Sequence, residues 1–281
     1  MKTAVITGAD GGMGRIITEL IALAGYKVIM GCIDLAQAKP VLEELQNKTK
    51  GEISLLQIDL SNLDSVERFV NQIKTEFHQF DLLLNNAGIL LHAPAETPEG
   101  LELTAAVNYL GTYYLSNLMT PLMPEGSRIV NMASLSYKWF EVKDDFFEPV
   151  NSKKFNRFVH YSASKRAIVY FTMDYAEKMK EKHITVNCAD PFIVSTPIIS
   201  MGIKWMDKLT DLFFRPIIYS PAKGAATMIY LALAEEVKDT TGGYFFNKKQ
   251  KKIPIKIRTS PQRESLKLMT ANILEKLHKN L

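Results

Sequence analysis

The chain has 281 residues, 47% of them hydrophobic and 23% charged, with a formal net charge of +4. That balance supports a sizeable core and excludes a disordered chain, and no apolar run reaches the roughly 18 residues of a membrane-spanning helix. Two cysteines, Cys32 and Cys188, are too few for a disulfide framework and neither belongs to a paired metal motif, so no metal site is expected.

Lys2 leads straight into the first strand without a signal peptide, so a cytoplasmic location is expected. The basic excess sits in Lys248, Lys249, Lys251, Lys252, Lys256 and Arg258. It reads as a solvated surface segment rather than a nucleic-acid or lipid patch.

In chain order, residues 3–6 form a short apolar, β-branched run that reads as a buried strand. Thr7-Gly8-Ala9-Asp10-Gly11-Gly12-Met13-Gly14 follows, and residues 15–24 carry apolar side chains at helical spacing. A strand, a glycine-rich turn and a helix in that order make a cradle for a dinucleotide. The turn must bend sharply, let a pyrophosphate approach bare backbone and aim helix N–H groups at its charge. Further strands are predicted at 27–32, 53–58, 81–84, 127–132, 184–189 and 243–246. Helices are predicted at 37–48, 101–119, 161–182 and 222–234. Residues 61–64 resemble a capping box with Ser61 as the cap, opening a helix with the stripe Val66, Phe69, Val70, Ile73 and Phe77. This alternation predicts an α/β fold, a single doubly wound domain over 1–281, with a parallel sheet of about seven strands and helices on both faces.

Tyr161 and Lys165 lie four residues apart, on one face of a predicted helix. A neighbouring ammonium favours phenolate, lowering a tyrosine pKa toward the range useful for proton exchange. Tyr219–Lys223 and Tyr244–Lys248 share the spacing, so spacing alone is compatible with a plain surface pair. Ser134 ends the strand at 127–132, at the sheet edge where open α/β folds bind ligands, although it reads equally as an N-cap. Asn108 sits in an apolar helix, where a buried amide needs partners. Asn85-Asn86-Ala87-Gly88 follows the fourth strand and is equally compatible with a turn.

The ordered set Thr7–Gly14, Asp59, Asn85–Gly88, Asn108, Ser134, Tyr161, Lys165 and 187–196 resembles the short-chain dehydrogenase/reductase family over nearly the whole chain. The retinol-dehydrogenase-like branch, with the WW-domain oxidoreductase, is the part it most resembles, through residues 107–112 and 241–245 and the insertion between Ser134 and Tyr161. The resemblance implies a Rossmann-type fold and NAD(P)-dependent hydride transfer between a hydrophobic carbonyl compound and its alcohol. It implies Tyr161 as general acid/base, Lys165 as pKa modulator and ribose ligand, Ser134 as substrate-orienting hydroxyl, and Asn108 as support for a relay water. It further implies cofactor contacts by Thr7, Gly8, Asp10, Gly12, Met13, Gly14, Asp59, Leu60, Asn86, Ala87, Gly88, Tyr161, Lys165, Pro191, Val194 and Thr196. Homodimers or homotetramers are common in the family. The alternative is a dinucleotide-binding sensor or scaffold without catalysis.

Three departures stand out. Asp190-Pro191-Phe192 replaces the family's Pro-Gly after the sixth strand. Cys32 and Ile33 stand where an acid would select NAD or an arginine NADP, Asp34 lies just beyond, and Arg15 reads equally as a phosphate partner or a helix-surface residue. The choice leans slightly to NADP by family. The branch's N-terminal membrane anchor is not seen. Within the domain, 135–160 is an insertion and 248–281 a C-terminal extension. Residues 197–220 take the place of a substrate lid, apolar through Ile198, Ile199, Met201, Ile203, Trp205, Met206, Leu209, Leu212, Phe213 and Phe214. The insertion is expected to add Tyr137, Trp139, Phe140, Phe146 and Phe147 to a substrate pocket, while His92, just after the Asn-Asn-Ala-Gly loop, reads as a surface or hydrogen-bonded histidine ahead of a pocket residue.

Overall fold

In the computed structural model, residues 1–192, 219–279 and 281 are described. β1 (Thr3–Thr7), β2 (Lys27–Cys32), β3 (Ile53–Gln57), β4 (Leu82–Asn85), β5 (Arg128–Met132), β6 (Thr185–Asp190) and β7 (Tyr244–Phe246) pair in parallel, and β8 (Lys249–Lys251) pairs antiparallel with β7. The spatial order is β3-β2-β1-β4-β5-β6-β7-β8. β1 feeds β2 and β3 on one side, and the chain then crosses back to β4 on the other. The reversal leaves a crevice at the carboxyl ends of β1 and β4, the place where doubly wound sheets bind ligands.

Alternation along the strands assigns the two faces. Ala4, Ile6, Val28 and Met30 point to one core layer, and Val5 and Ile29 to the other. The first layer packs α1 (Gly12–Leu23), α2 (Leu35–Thr49) and α6 (Pro221–Leu233) through Ile17, Ile21, Leu45 and Met228. The second packs α3 (Leu63–Glu76), α4 (Thr112–Met119), α5 (Arg157–Lys178) and α7 (Gln262–Lys276) through Phe69, Leu115, Tyr175 and Leu266.

The elements follow the sequence reading with informative exceptions. β8 is an eighth strand, reached through a two-residue turn in which Asn247 and Lys248 have φ of 49° and 60°. Both central residues of a type I′ hairpin turn take positive φ, and Asn-Lys lacks the glycine that would have announced it. The cap of α3 is Asn62, whose Oδ1 accepts from the Ser65 N–H at 3.0 Å, not Ser61. Ser61 is captured by Asp59, to whose Oδ1 its hydroxyl donates at 2.6 Å. The helix expected at 101–119 is split into one α turn (Leu103–Ala105), a π-helix (Ala106–Gly111) and α4. α5 starts at Arg157, because Asn156 caps the Phe158 and Val159 N–H groups, so Tyr161 stands in the second turn rather than at the helix start.

Candidate active site

The glycine turn bends at Gly8, with φ of 60°. A Cβ on Gly14 would lie 1.9 Å from the Gly8 carbonyl oxygen, so only glycine lets α1 start this close to β1. No side chain caps α1, which leaves its first N–H groups available to an anion. A cavity of about 500 Å³ opens there, lined by Thr7, Gly8, Asp10, Gly12, Met13, Gly14, Asp59, Leu60, Asn86, Ala87 and Gly88, all expected from the sequence. Apolar Ile33, Ile58, Ile89, Leu91 and Val107 also line it. Of these only Ile33 stands out in the sequence, as the residue in place of a cofactor-selecting acid or arginine; a lone apolar residue in a loop or helix carries no signature. Pro191 is not among the lining residues, and Val194, Thr196 and the apolar stretch 198–214 lie outside the described residues.

Asparagines hold the crevice open. Asn86 Nδ2 donates to the carbonyls of Thr7 and Gly8, each at 3.0 Å, and the Thr7 hydroxyl accepts from the Asn86 and Ala87 N–H groups, each at 3.1 Å. These bonds tie β1 to β4. Asn85 Nδ2 donates to Asn131 Oδ1 at 2.8 Å and to Ser116 Oγ at 3.0 Å, linking β4 to β5 and α4.

Asn108 sits inside the π-helix, a distortion frequent at functional sites. Its Oδ1 accepts from the Ile89 N–H at 2.7 Å, while its Nδ2 donates to the Ile89 carbonyl at 2.9 Å and to Ser164 Oγ at 3.0 Å. Ser164 in turn donates to the Tyr161 carbonyl at 2.7 Å. Both amide hydrogens are spent. Asn108 therefore clamps the loop after β4 to the helix that carries Tyr161, and only acceptor capacity is left for a water.

Tyr161, Lys165 and Ser134 converge. The Lys165 Nζ lies 5.5 Å from the centre of the Tyr161 ring and donates to the Met132 carbonyl at 3.0 Å. The Tyr161 phenol is hydrogen-bonded to Ser134. Burial pushes the phenol up to about 12, the Ser134 bond opposing and Asp190 reinforcing the rise. Lys165 is not among the groups that lower it: the ammonium sits over the ring and is itself pushed down to about 8 by burial, against the raising pull of Asp190. The N-cap reading of Ser134 is met, since its Oγ accepts from the Ser136 N–H at 3.3 Å. A Cβ on Gly88 would lie 3.2 Å from Asn108 Oδ1 and 3.3 Å from Lys165 Nζ, so this glycine joins the cavity to the polar cluster.

Several expectations are corrected. Tyr137, Phe146 and Phe147 are core residues rather than pocket walls, the two phenylalanines packing on Tyr109 at 5.9 and 6.1 Å between ring centres. Trp139 and Phe140 are exposed. Arg15 pairs with Glu44 across α1 and α2 rather than standing free for a phosphate. Asp34 caps α2, its Oδ1 accepting from Ala36 and Gln37 N–H groups at 2.9 and 3.1 Å. His92, by contrast, takes the hydrogen-bonded place the sequence favours, contacting Arg157 at 3.1 Å.

A family model described as enoyl-(acyl carrier protein) reductase matches residues 8–242. Mouse retinol dehydrogenase 14 is 33% identical over 275 residues, covering 90% of this chain and 79% of its own. The chain belongs to the short-chain dehydrogenase/reductase family. A short-chain dehydrogenase/reductase from Brucella melitensis, described as glucose/ribitol dehydrogenase, superposes with a TM-score of 0.68 at 25% identity, covering 87% of this chain and 94% of its own. The angucycline C-6 ketoreductase LanV, solved with bound NADP, shares the fold at a TM-score of 0.70 and 24% identity, covering 88% and 93% of the two chains. As a short-chain dehydrogenase/reductase this chain is unusual at Phe192, which replaces glycine yet keeps a positive φ of 65°. Its N–H donates to Asp190 Oδ1 at 2.7 Å, and its ring packs on Tyr219 and Phe246 at 5.0 and 5.4 Å. Aspartate two residues earlier and two aromatic neighbours offset the strain a Cβ meets there. Among the described residues no helix is long and apolar enough to cross a membrane.

Proposed function

We propose that this chain is an NAD(P)-dependent oxidoreductase that interconverts a hydrophobic carbonyl compound and its alcohol, with Tyr161 exchanging the proton. The carrying observation is the convergence of Tyr161, Ser134 and Lys165 at the carboxyl edge of the sheet, one glycine away from the cavity above the glycine turn. A bound nicotinamide cofactor would supply the hydride. The open turn, the uncapped start of α1 and the 500 Å³ cavity fit such a dinucleotide. Gly8, Gly12, Met13 and Gly14 would face its phosphates, Asp59 and Leu60 its adenosine, and Lys165 a ribose hydroxyl. Ser134 would hold the substrate oxygen, to which Tyr161 gives a proton in reduction and from which it takes one in oxidation.

NADP(H) is the favoured partner, because the acid nearest the end of β2, Asp34, is turned into the α2 cap and away from the role that selects NAD. The apolar lining by Ile89, Leu91 and Val107, and the retinol dehydrogenase relative, support a hydrophobic substrate. Two free, buried cysteines suit a reducing cytoplasm.

Fluorescence titration with NADPH and NADH, followed by a panel of apolar aldehydes and ketones including retinaldehyde, tests the reading. Turnover should fall about 10²–10⁴-fold in Tyr161→Phe while NADPH binding changes little, and Lys165→Ala should weaken both. Dinucleotide binding without any turnover in the wild type would replace the enzyme with a sensor.

A further inference from the structure

Asp190 is the last residue of β6 and only 2% exposed. A buried carboxylate is stable only when donors converge on it, and here they do. Burial raises its carboxyl, and against that the Phe192 N–H donates to its Oδ1 at 2.7 Å, the Tyr244 hydroxyl donates to its Oδ2, and the Leu135 N–H favours the charged form. Its hydrogen-bond partners are all donors, the pattern an acceptor-only carboxylate requires. Leu135 directly follows Ser134, and the Ala133 N–H donates to the Ala189 carbonyl at 2.8 Å. One side chain thus joins the end of β6, the loop after β5 and β7 immediately behind the polar cluster. None of the roles assigned above uses it.

We propose that Asp190 is a positioning residue of this site: its buried carboxylate ties the end of β6 to β7 directly behind the loop that carries Ser134 and sets a negative charge behind Tyr161 and Lys165, so that the resting site is arranged to give a proton to a carbonyl. The loading of Tyr161 matters only if the proton-transfer reading above is right; the pull on Lys165 does not depend on it.

Among the described residues, the groups facing Asp190 are few. Tyr244 comes from β7, Tyr137 and Lys138 from the turn after β5, Tyr161 and Lys165 from α5, and Cys188 from β6 itself. Tyr137 and Tyr244 pack together at 4.7 Å between ring centres, and burial raises both phenols and the Cys188 thiol. They are neutral at ordinary pH. Lys138 is exposed to solvent, which screens it. Lys165 is the one buried cation in this set, so the negative charge of Asp190 acts chiefly on Lys165 and on the ionisation of Tyr161. An anion nearby favours the protonated form of each. In reduction the phenol starts protonated; in oxidation it starts as phenolate. Asp190 therefore favours reduction at neutral pH and delays oxidation to alkaline pH, without altering the overall equilibrium.

The test is ¹³C NMR of lysine ε-carbons against pH, with the Lys165 signal identified by its loss in Lys165→Arg. In Asp190→Asn the Lys165 midpoint should fall by about one unit, and in Asp190→Glu it should return most of the way. An unchanged midpoint in Asp190→Asn overturns the proposal, as does an equal fall in Asp190→Glu, which would mark a packing defect instead of a lost charge. Should Asp190→Asn not fold, Asp190→Ser removes the same charge and is read the same way. With an active substrate in hand, Asp190→Asn should also move the onset of alcohol oxidation to lower pH by a similar amount, and an onset that stays in place refutes the proton loading. A wild type that turns over no carbonyl or alcohol defeats the enzymatic reading, while the lysine titration still decides whether Asp190 acts on Lys165.

Discussion

At the scale of single residues, the centre of the site is a buried cation stacked over a phenol. Lys165 is 3% exposed and, among the described residues, held by one carbonyl, so its ammonium loses much of its hydration for a single hydrogen bond there. Its pKa of about 8, against 10.5 in the unfolded chain, makes a prediction about stability. Between those values the unfolded state binds more protons than the folded one, so stability rises with pH through that window. Tyr161 works in the opposite sense from about 10 to 12, where the folded state keeps its proton longer and stability falls as pH rises. Lys165 therefore dominates from pH 8 to 10. Denaturant unfolding of the cofactor-free protein against Lys165→Met should show wild type gaining about 2 kcal/mol relative to the variant over that range. A flat difference would mean that the ammonium is hydrated in solution.

At the scale of elements, the π-helix is what brings the site together. Asn108 and Tyr109 are successive residues, yet Asn108 reaches the loop after β4 and Ser164 on α5, while the Tyr109 hydroxyl pairs with Thr270 on α7 at 3.0 Å. Gly111 ends this segment where it crosses the loop after β3; a Cβ there would stand 2.1 Å from the Leu60 carbonyl oxygen. Gly111→Ala should force the segment away from Leu60, which lines the cavity. Unfolding stability should drop by about 1–3 kcal/mol, and NADPH binding should weaken as well, since Asn108 lies on the same turn. Calorimetry and fluorescence titration read the two effects, and an unaltered affinity would separate the turn from the cofactor cleft.

The π-helix also marks how far the sequence could be read. The strands were legible because each is a short apolar run bounded by turn residues, and the glycine turn because bond geometry leaves no substitute at Gly8 or Gly14. Ser134, Tyr161 and Lys165 were legible as a set through family resemblance, and the structure brings them together. A π insertion was not legible, since one extra residue per turn leaves the apolar spacing of 101–119 nearly unchanged. Asp190 carried a faint sign, an acid ending a buried strand, but its partners Leu135 and Tyr244 are 55 and 54 positions away in sequence. Arg15 and Asp34 were readable only as candidates, because the competing partner Glu44 and the α2 cap become visible once α1 and α2 are packed.

At the scale of the whole molecule, the C-terminal residues complete the second core layer. Leu266, Met269, Thr270, Ile273, Leu274 and Leu277 recur at helical spacing, a stripe partly hidden in the sequence by the basic run before it. Leu266, Thr270 and Leu274 are buried against the layer that holds Tyr109 and Tyr175, and Arg263 and Lys267 pair with Asp174 of α5 at the rim. Those rim pairs are partly solvated and contribute little, so apolar burial holds α7 in place. Leu266 and Leu268 then form an internal comparison on one helix, the first 1% and the second 66% exposed. Leu266→Ala removes buried methyl groups and leaves a void, and should cost about 2–5 kcal/mol. Leu268→Ala should stay within about 0.5 kcal/mol of wild type. Because Thr270 anchors the residue next to Asn108, loosening α7 should also lower turnover in Leu266→Ala at temperatures well below unfolding, whereas Leu268→Ala should leave it intact. Equal stabilities for the two variants would mean that α7 is not packed on the sheet in solution. A destabilised Leu266→Ala with undiminished turnover would confine the role of α7 to the core.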